Sequence, residues 1–255
     1  MLNIGKDVVI EPGVIMDVEK GYIGDRTIIR SGARIEGSYV QLGIENYLDH
    51  GAWIGGGSCH DREAYLIAGD WLHMGWNSQI NIAKGVDIGD EVGIGIETKV
   101  FTHGAYLPTD CGFPIQWDGV RIGNRVWLPH AWVNPGVTIG DDVVVAAMSL
   151  VNSNLDSGCL YGGIPAKKLK ANIYSKDTKE FYAILRDQVP YEITKKDGSY
   201  FIRVDDTIFD LSKRIICGKV TKETELVKNQ LRRNGIRFRY YDFFGIYIHW
   251  GGHKV

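Results

Sequence analysis

An isoleucine, leucine or valine returns every six residues over much of the first 150 positions, often followed by glycine and then aspartate or asparagine. Ile88-Gly89-Asp90, Ile94-Gly95 and Val100 keep the step. So do Ile122-Gly123-Asn124 and Leu128, and then Val133, Ile139-Gly140-Asp141, Val145 and Val151. The fourth place after each is small or apolar as well: Val92, Thr98, Val126, Trp132, Val137, Val143 and Ser149. A period of six fits neither a helix nor a simple alternating strand. It predicts a mainly β fold, a parallel β-helix in which each hexapeptide supplies one short strand and one turn and successive coils stack.

The rhythm begins at Ile4-Gly5-Lys6-Asp7, passes through Ile10 and Val14, and resumes at Ile23-Gly24-Asp25, Ile29 and Ile35. It loosens between Gly37 and Ala64, although Leu42-Gly43 and Ile54-Gly55 still read as coil starts; Gly55-Gly56-Gly57-Ser58 reads as a loop. Ala68-Gly69-Asp70, Met74-Gly75 and Ile80 recover it. Residues 104–119, directly after His103, have no six-fold pattern and two prolines, which predicts a loop extruded from the coil, a usual place for binding. From Leu128 to Val133 the step is five, so a tightened corner is expected there. The repeat ends near Asn152, and residues 161–168 read as an irregular, basic exit segment.

Beyond it the grammar changes. Helical spacing over Ser175–Gln188 predicts a linker helix within 171–188. Short strands are expected at 191–194, 200–204 and 207–211, and a helix over 221–234, capped by Thr221 and stopped by Gly235. The aromatic-rich run 236–250 predicts one or two more strands. Residues 1–170 therefore read as a β-helix domain, and 189–255 as a small α+β domain.

Composition narrows the function. The chain of 255 residues has a formal charge of -2, so no global basic field points to nucleic acid. No run approaches the roughly twenty apolar residues of a membrane span. The first residues lack the apolar stretch of a secretory signal, so a cytoplasmic location is expected. Cys59, Cys111, Cys159 and Cys217 are scattered and form no C-x-x-C pair. The 32 glycines are read as corner residues that accept unusual backbone angles.

Four segments carry a likeness: Val100-Phe101-Thr102-His103, Ile122-Gly123-Asn124-Arg125-Val126-Trp127, Asn134-Pro135-Gly136-Val137-Thr138-Ile139-Gly140-Asp141 and Gly162-Gly163-Ile164-Pro165-Ala166-Lys167. In this order, with a loop after the histidine, they resemble the hexapeptide acyltransferases. The nearer likeness is to the branch of maltose, galactoside, Nod-factor and surface-polysaccharide acetyltransferases. The resemblance implies a left-handed β-helix, acetyl-CoA as acyl donor, a sugar hydroxyl or amine as acceptor, and a homotrimer with active sites between subunits. It does not reach residues 189–255.

Acyl transfer from a thioester needs a base for the acceptor's proton, and histidine titrates in the right range. The resemblance places that base at His103. Glu97, one hexapeptide earlier, is the nearest acidic candidate to orient it, or else an exposed turn charge. Asn77 resembles an acceptor-binding asparagine, or serves the turn; Trp127 resembles a tryptophan beside the active-site histidine, or packs an interface. The donor would lie near Ala146 and Ala147, where side chains are small, with its phosphates at Lys167 and Lys168 or those lysines simply solvated. No Gly-rich phosphate loop of P-loop or Rossmann type is present. No metal is expected: His249-x-x-x-His253 lacks a third ligand, and Asp49-His50 and Cys59-His60-Asp61 read as loop residues. Two other classes fit the fold. A γ-type carbonic anhydrase would need zinc, yet His73, His103 and His130 lie far apart in sequence; a non-catalytic assembly scaffold would leave His103 and its loop without a purpose.

Overall fold

A computed structural model describes residues 1–173 and 191–249 of the chain, with two compact units, Met1–Tyr174 and Ser175–Val255. The predicted linker helix and His253 lie outside the described residues.

The first unit is a left-handed parallel β-helix with three faces. The second face is the simplest to follow: Val9–Ile10, Ile28–Ile29, Tyr47–Leu48, His73–Met74, Gly93–Ile94, Trp127–Leu128, Val144–Val145 and Cys159–Gly162 pair in parallel, each with the next coil. The third face holds Trp53–Gly55, Gln79–Asn81, Lys99–Val100, Ala131–Val133 and Ser149–Val151; the first holds Tyr65–Ala68, Val86–Ile88, Val120–Ile122 and Thr138–Ile139. The long strands Ile15–Ile23 and Arg34–Leu42 run round the corner from the third face to the first and join the two into one sheet.

The period of six is what this geometry requires. From the second coil on, each coil buries one apolar side chain per face: Ile23, Ile29 and Ile35, then Leu42, Leu48 and Ile54, up to Ile139, Val145 and Val151, with Ala68 the small exception; Ile4 and Ile10 of the first coil are left exposed. Each such burial contributes roughly 1.5–3 kcal/mol. The coil from 39 to 55 is as regular as the rest, and the departure from the repeat is confined to 56–64. The pattern looks loose there because Asn46 fills an interior place. It is buried, donating its amide to the Gly43 carbonyl at 2.8 Å and accepting from the Leu72 N–H at 2.5 Å.

The Ile-Gly-Asp corner works differently from the expectation. The glycines at 24, 43, 69, 89, 123 and 140 do not use a left-handed conformation; they are needed for space. A Cβ on Gly69 would strike the Asp90 carboxylate and the Gly89 backbone. That carboxylate accepts the Asp70 N–H at 2.8 Å, and the ladder continues through Asn124, Asp141 and Ser157. The left-handed angle falls two residues after the glycine, on Arg26, Glu45, Trp71, Glu91, Arg125 and Asp142.

The five-residue step is a shortened corner. Only Pro129 and His130 separate Trp127–Leu128 from Ala131–Val133. The buried Thr98 hydroxyl below closes the gap, donating to the Leu128 carbonyl at 2.9 Å and accepting from the Ala131 N–H at 3.1 Å. In consequence Ala131 is the interior residue, and Trp132 points outward, 52% exposed. The exit segment is also more ordered than expected: Cys159–Gly162 turns back into Lys167–Ala171 as an antiparallel pair.

Among its described residues, the second unit is a six-stranded antiparallel sheet with the helix Lys222–Arg233. Glu192–Lys196, Ser199–Val204, Thr207–Asp210 and Ile215–Lys219 form a meander, and Ile246–His249 and Tyr240–Phe243 complete the order. The strand Ile215–Lys219 is additional to the predicted set. Helix Lys222–Arg233 starts at Thr221, whose hydroxyl accepts the Thr224 N–H at 3.2 Å while the Thr224 hydroxyl accepts the Thr221 N–H at 2.7 Å, a reciprocal cap. Its buried stripe, Thr224, Val227 and Leu231, meets Ile202, Phe209, Ile216, Phe238 and Tyr247 in a separate core.

Candidate active site

His103 stands at the corner where the third face gives way to the first. The chain leaves the coil there and returns along itself, so that His103–Gly104 pairs antiparallel with Gln116–Trp117, and the Asp118 N–H bonds the Thr102 carbonyl at 2.9 Å. The predicted extruded loop is thus present, pinned at its base. Trp117 lies flat against the imidazole, centroids 4.6 Å apart and planes 13° from parallel.

The partner of the imidazole is Asn81. Its amide oxygen lies 3.0 Å from His103 Nδ1 and also accepts the Thr102 hydroxyl at 2.7 Å and the Ala83 N–H at 3.3 Å. The amide nitrogen donates to the Gly57 carbonyl at 3.4 Å. A buried oxygen facing these donors can only accept, so Nδ1 of His103 donates here, and in the neutral ring the lone pair falls on Nε2. The ring is thus held in one orientation by Asn81 and clamped on one side by the Trp117 indole.

Glu97 does not orient this ring. It occupies an exposed left-handed turn with φ 53°, at the corner between the second and third faces. Asn77 sits at the same corner one coil below, also left-handed, with its amide oxygen over Gly51. Trp127 is on the second face, opposite the His103 corner, where its ring covers Gly93. Within one chain, then, the fold brings none of the three to His103. It brings Asn81, which lies one coil below Phe101 in register. In the sequence it shows only as an amide between Ile80 and Ile82.

Two open depressions adjoin the corner. One, of about 680 Å³, is lined by Asp61, Arg62 and Glu63 of the 56–64 loop, by Ala83 and Lys84, and by Trp117. A second, of about 560 Å³, shares Arg62, Glu63 and Lys84 and extends along the first face past Tyr65, Asp87 and Asp118. Lys84 pairs with Glu63, and its hydrogen bond and charge hold that carboxyl below the ordinary carboxylate range. The walls are therefore polar and of both signs.

The donor candidates gather towards the far end of the stack. Ala146 and Ala147 form the second-to-third-face corner of a late coil; the Ala146 N–H is already bonded to the Tyr161 carbonyl at 2.7 Å. Beside them is an apolar depression of about 250 Å³ lined by His130, Trp132, Met148, Ser149, Leu150 and Ile164. Lys167 is exposed at the start of the returning strand. Lys168 pairs with Asp156 at 2.5 Å, which raises its pKa. Trp132 meets Phe101 edge-on at 5.6 Å, and Phe101 precedes His103 by two residues. An apolar track thus runs along the third face from Ile164 to the histidine.

Three other histidines make contacts within the coil stack. His73 stacks on Tyr47 on the second face, at 5.1 Å. The His50 ring lies 3.1 Å from the Ser31 carbonyl, and His60 lies between Asp17 and Glu19. Among the described residues no three of His, Cys, Asp or Glu converge as metal ligands.

Comparison with known proteins agrees with this geometry. No family model matches the chain. Galactoside O-acetyltransferase of Escherichia coli K12 is 27% identical over 142 residues, 51% of this chain and 68% of that protein. The putative lipopolysaccharide biosynthesis O-acetyl transferase WbbJ of Escherichia coli K12 is 33% identical over 121 residues, 43% of this chain and 58% of the relative. The chain therefore spans between half and seven-tenths of the length of these two relatives. Among solved structures, AntD, an N-acyltransferase from Bacillus cereus in complex with dTDP and 3-hydroxybutyryl-CoA, aligns with a TM-score of 0.49 and 21% identity, over 70% of this chain and 86% of that one. The resemblance to the hexapeptide-repeat acyltransferases holds, and the curated relatives it is similar to are O-acetyltransferases of a galactoside and of lipopolysaccharide biosynthesis.

Proposed function

We propose that the protein is an acetyl-CoA-dependent acetyltransferase whose acceptor is a hydroxyl of a saccharide. The observation that carries the reading is the His103–Asn81 pair beside an open, polar-walled depression. His103 Nε2 takes the acceptor proton as its oxygen attacks the thioester carbonyl. Collapse of the tetrahedral adduct expels the thiolate, and the proton passes from Nε2 to sulfur. Asn81 keeps the ring proton on Nδ1 throughout, leaving Nε2 to take and return the acceptor's proton, and favours the imidazolium by accepting from Nδ1. The acceptor lies between the 56–64 loop and Trp117, whose indole offers a stacking face. The donor's arm follows the apolar track past Trp132 and Phe101, with its phosphates near Lys167. In this reading the protein is cytoplasmic, where acetyl-CoA is made.

A homotrimer with sites between subunits completes the proposal. The extruded loop exposes Tyr106, Leu107, Phe113 and Ile115, with Tyr106 98% exposed, an apolar surface that a second copy would cover. Asn77 and Trp127, remote from their own His103, can serve a site only from a neighbouring copy.

The test is thiol release from acetyl-CoA in the presence of free sugars, nucleotide sugars and amino sugars. A saccharide should accelerate release, and His103→Ala should slow it by about 10²–10⁴-fold with melting temperature and oligomeric state unchanged. A fully active His103→Ala enzyme sinks the assignment. Absence of coenzyme A binding in calorimetry would instead favour a scaffold.

A further inference from the structure

The formal charge of -2 conceals a division within the chain. Residues 1–173 carry 13 Lys and Arg against 20 Asp and Glu, whereas residues 191–255 carry 13 against 8. The topology of the C-terminal unit then sorts those cations to one end of its sheet. Lys195 and Lys196 close the first strand at its hairpin turn. Lys213 and Arg214 occupy the turn between Thr207–Asp210 and Ile215–Lys219 at that same end, where the Arg239 N–H bonds the Arg214 carbonyl at 2.7 Å. The helix delivers its last turn there too: Glu225 meets Tyr247 near the other end of the sheet, while Lys228 reaches the Tyr240 hydroxyl at 2.9 Å, next to Arg239. Arg232 and Arg233 follow, at the helix C-terminus, where the peptide dipoles favour positive charge.

Apart from Glu225, which pairs with Lys228 at 2.5 Å, little acid opposes this row. Asp197 is exposed in the first turn. Asp210 is buried, and its carboxylate is taken up by the N–H groups of Ser212 and Lys213 at 3.0 and 2.9 Å. The acidic turn Asp205-Asp206, with Glu223 and Asp242, lies at the opposite end of the sheet. So do the apolar hairpin tip residues Phe243 and Phe244, the latter 91% exposed. A bilayer would need the cations and the apolar tip side by side, and this unit holds them apart. The row spans six strands, about 24 Å at roughly 4.8 Å per strand, the reach of an extended polymer rather than a single anion. Lysine and arginine share the row, and the planar fork of arginine matches carboxylate and phosphate alike.

We propose that this cationic end docks an anionic saccharide chain, the carboxylates or phosphates along the chain being the groups recognised. The choice of a saccharide rests on the acetyltransferase reading of the coil unit. Binding to the full-length protein is measured by calorimetry without acetyl-CoA, so that failure of the acetyl-transfer reading remains separately visible in the thiol-release assay. The probes are an oligogalacturonate and a phosphorylated mannan oligosaccharide long enough to span the row, each against neutral dextran of equal length. Either acidic chain should bind and dextran should not, with affinity falling steeply between about 50 and 200 mM salt. The triple variant Lys213→Glu, Arg232→Glu, Arg233→Glu should weaken binding by at least about tenfold, while Lys219→Glu with Lys222→Glu, at the opposite end, should not. Acetyl transfer to a small sugar should be unchanged in both. Tighter binding of a short DNA duplex or of phosphatidylglycerol vesicles overturns the saccharide in favour of that partner. Failure of every polyanion, or a triple variant that binds like the parent, overturns docking at this end.

Discussion

In the coil stack a core residue is covered by the residue one coil on, as Ile23 is by Leu42 and Ile80 by Val100, so the same face is buried again at every coil. In the C-terminal unit eight buried residues from Ile202 to Tyr247 converge from separate strands and one helix on a single centre. The first arrangement is nearly one-dimensional: each coil depends on its neighbours, and an interruption can be thrown outward without disturbing the next coil. The second has no such redundancy. The proposed chemistry falls where the repeat is interrupted, and the proposed docking surface where the compact sheet sorts its charges.

This contrast can be broken at several points. The largest effect should come from His103→Ala, which costs two or more orders of magnitude in turnover and nothing in melting temperature. A drop in stability of the coil unit would mean that the ring is structural. Phe209→Ala, in the middle of the small core, should destabilise the C-terminal unit by about 3–5 kcal/mol and leave turnover on a small sugar intact. Calorimetry that shows both units melting together would contradict their independence. Asn81→Ala should act on both measurements. Loss of the Nδ1 acceptor should lower kcat by about 10–100-fold and shift the pH profile of kcat, while the Thr102 hydroxyl and Ala83 N–H left without their acceptor cost about 1–3 kcal/mol. A kcat and profile like those of the parent would remove Asn81 from the mechanism.

Smaller effects probe the C-terminal unit alone. Thr221→Ala removes the helix cap and should cost about 1 kcal/mol in that unit only. Burial raises the Asp210 pKa, but the N–H groups of Lys213 and Ser212 and the Ser212 hydroxyl outweigh it and hold the group below the ordinary carboxylate range. Its contribution to stability is therefore present above about pH 4 and fades as the pH falls through the lowered value. The stability of Asp210→Asn should lose that part of the acid dependence; an unchanged slope below about pH 4 would refute the account.

Much of the fold was legible because one interior place in six repeats the same physical demand. The coil from 39 to 55 was harder to read, since Asn46 meets that demand through backbone hydrogen bonds rather than apolar surface. The shortened corner at Pro129-His130 was visible as a missing residue, but not the Thr98 hydroxyl that fills it, nor the outward turn of Trp132 that follows. The strand Ile215–Lys219 carries no strong alternation and was found only through its partners. At the site, His103 and its loop stood out as a lapse in the rhythm. Asn81 did not, because its importance depends on which residue the next coil sets above it.

The sequence alone determined the number of residues per turn of the coil, the places where the coil is interrupted, and the residue with a base's chemistry at the chief interruption. These are local matters of period, turn chemistry and side-chain type. Only the tertiary structure decided which polar groups meet. It turned His103 towards Asn81 rather than Glu97, set Trp117 flat on the ring, placed Asn77 and Trp127 away from that corner, and collected the cations of the last unit at one end of its sheet. Those outcomes depend on register between coils and on antiparallel pairing across tens of residues, which no short window of the chain contains.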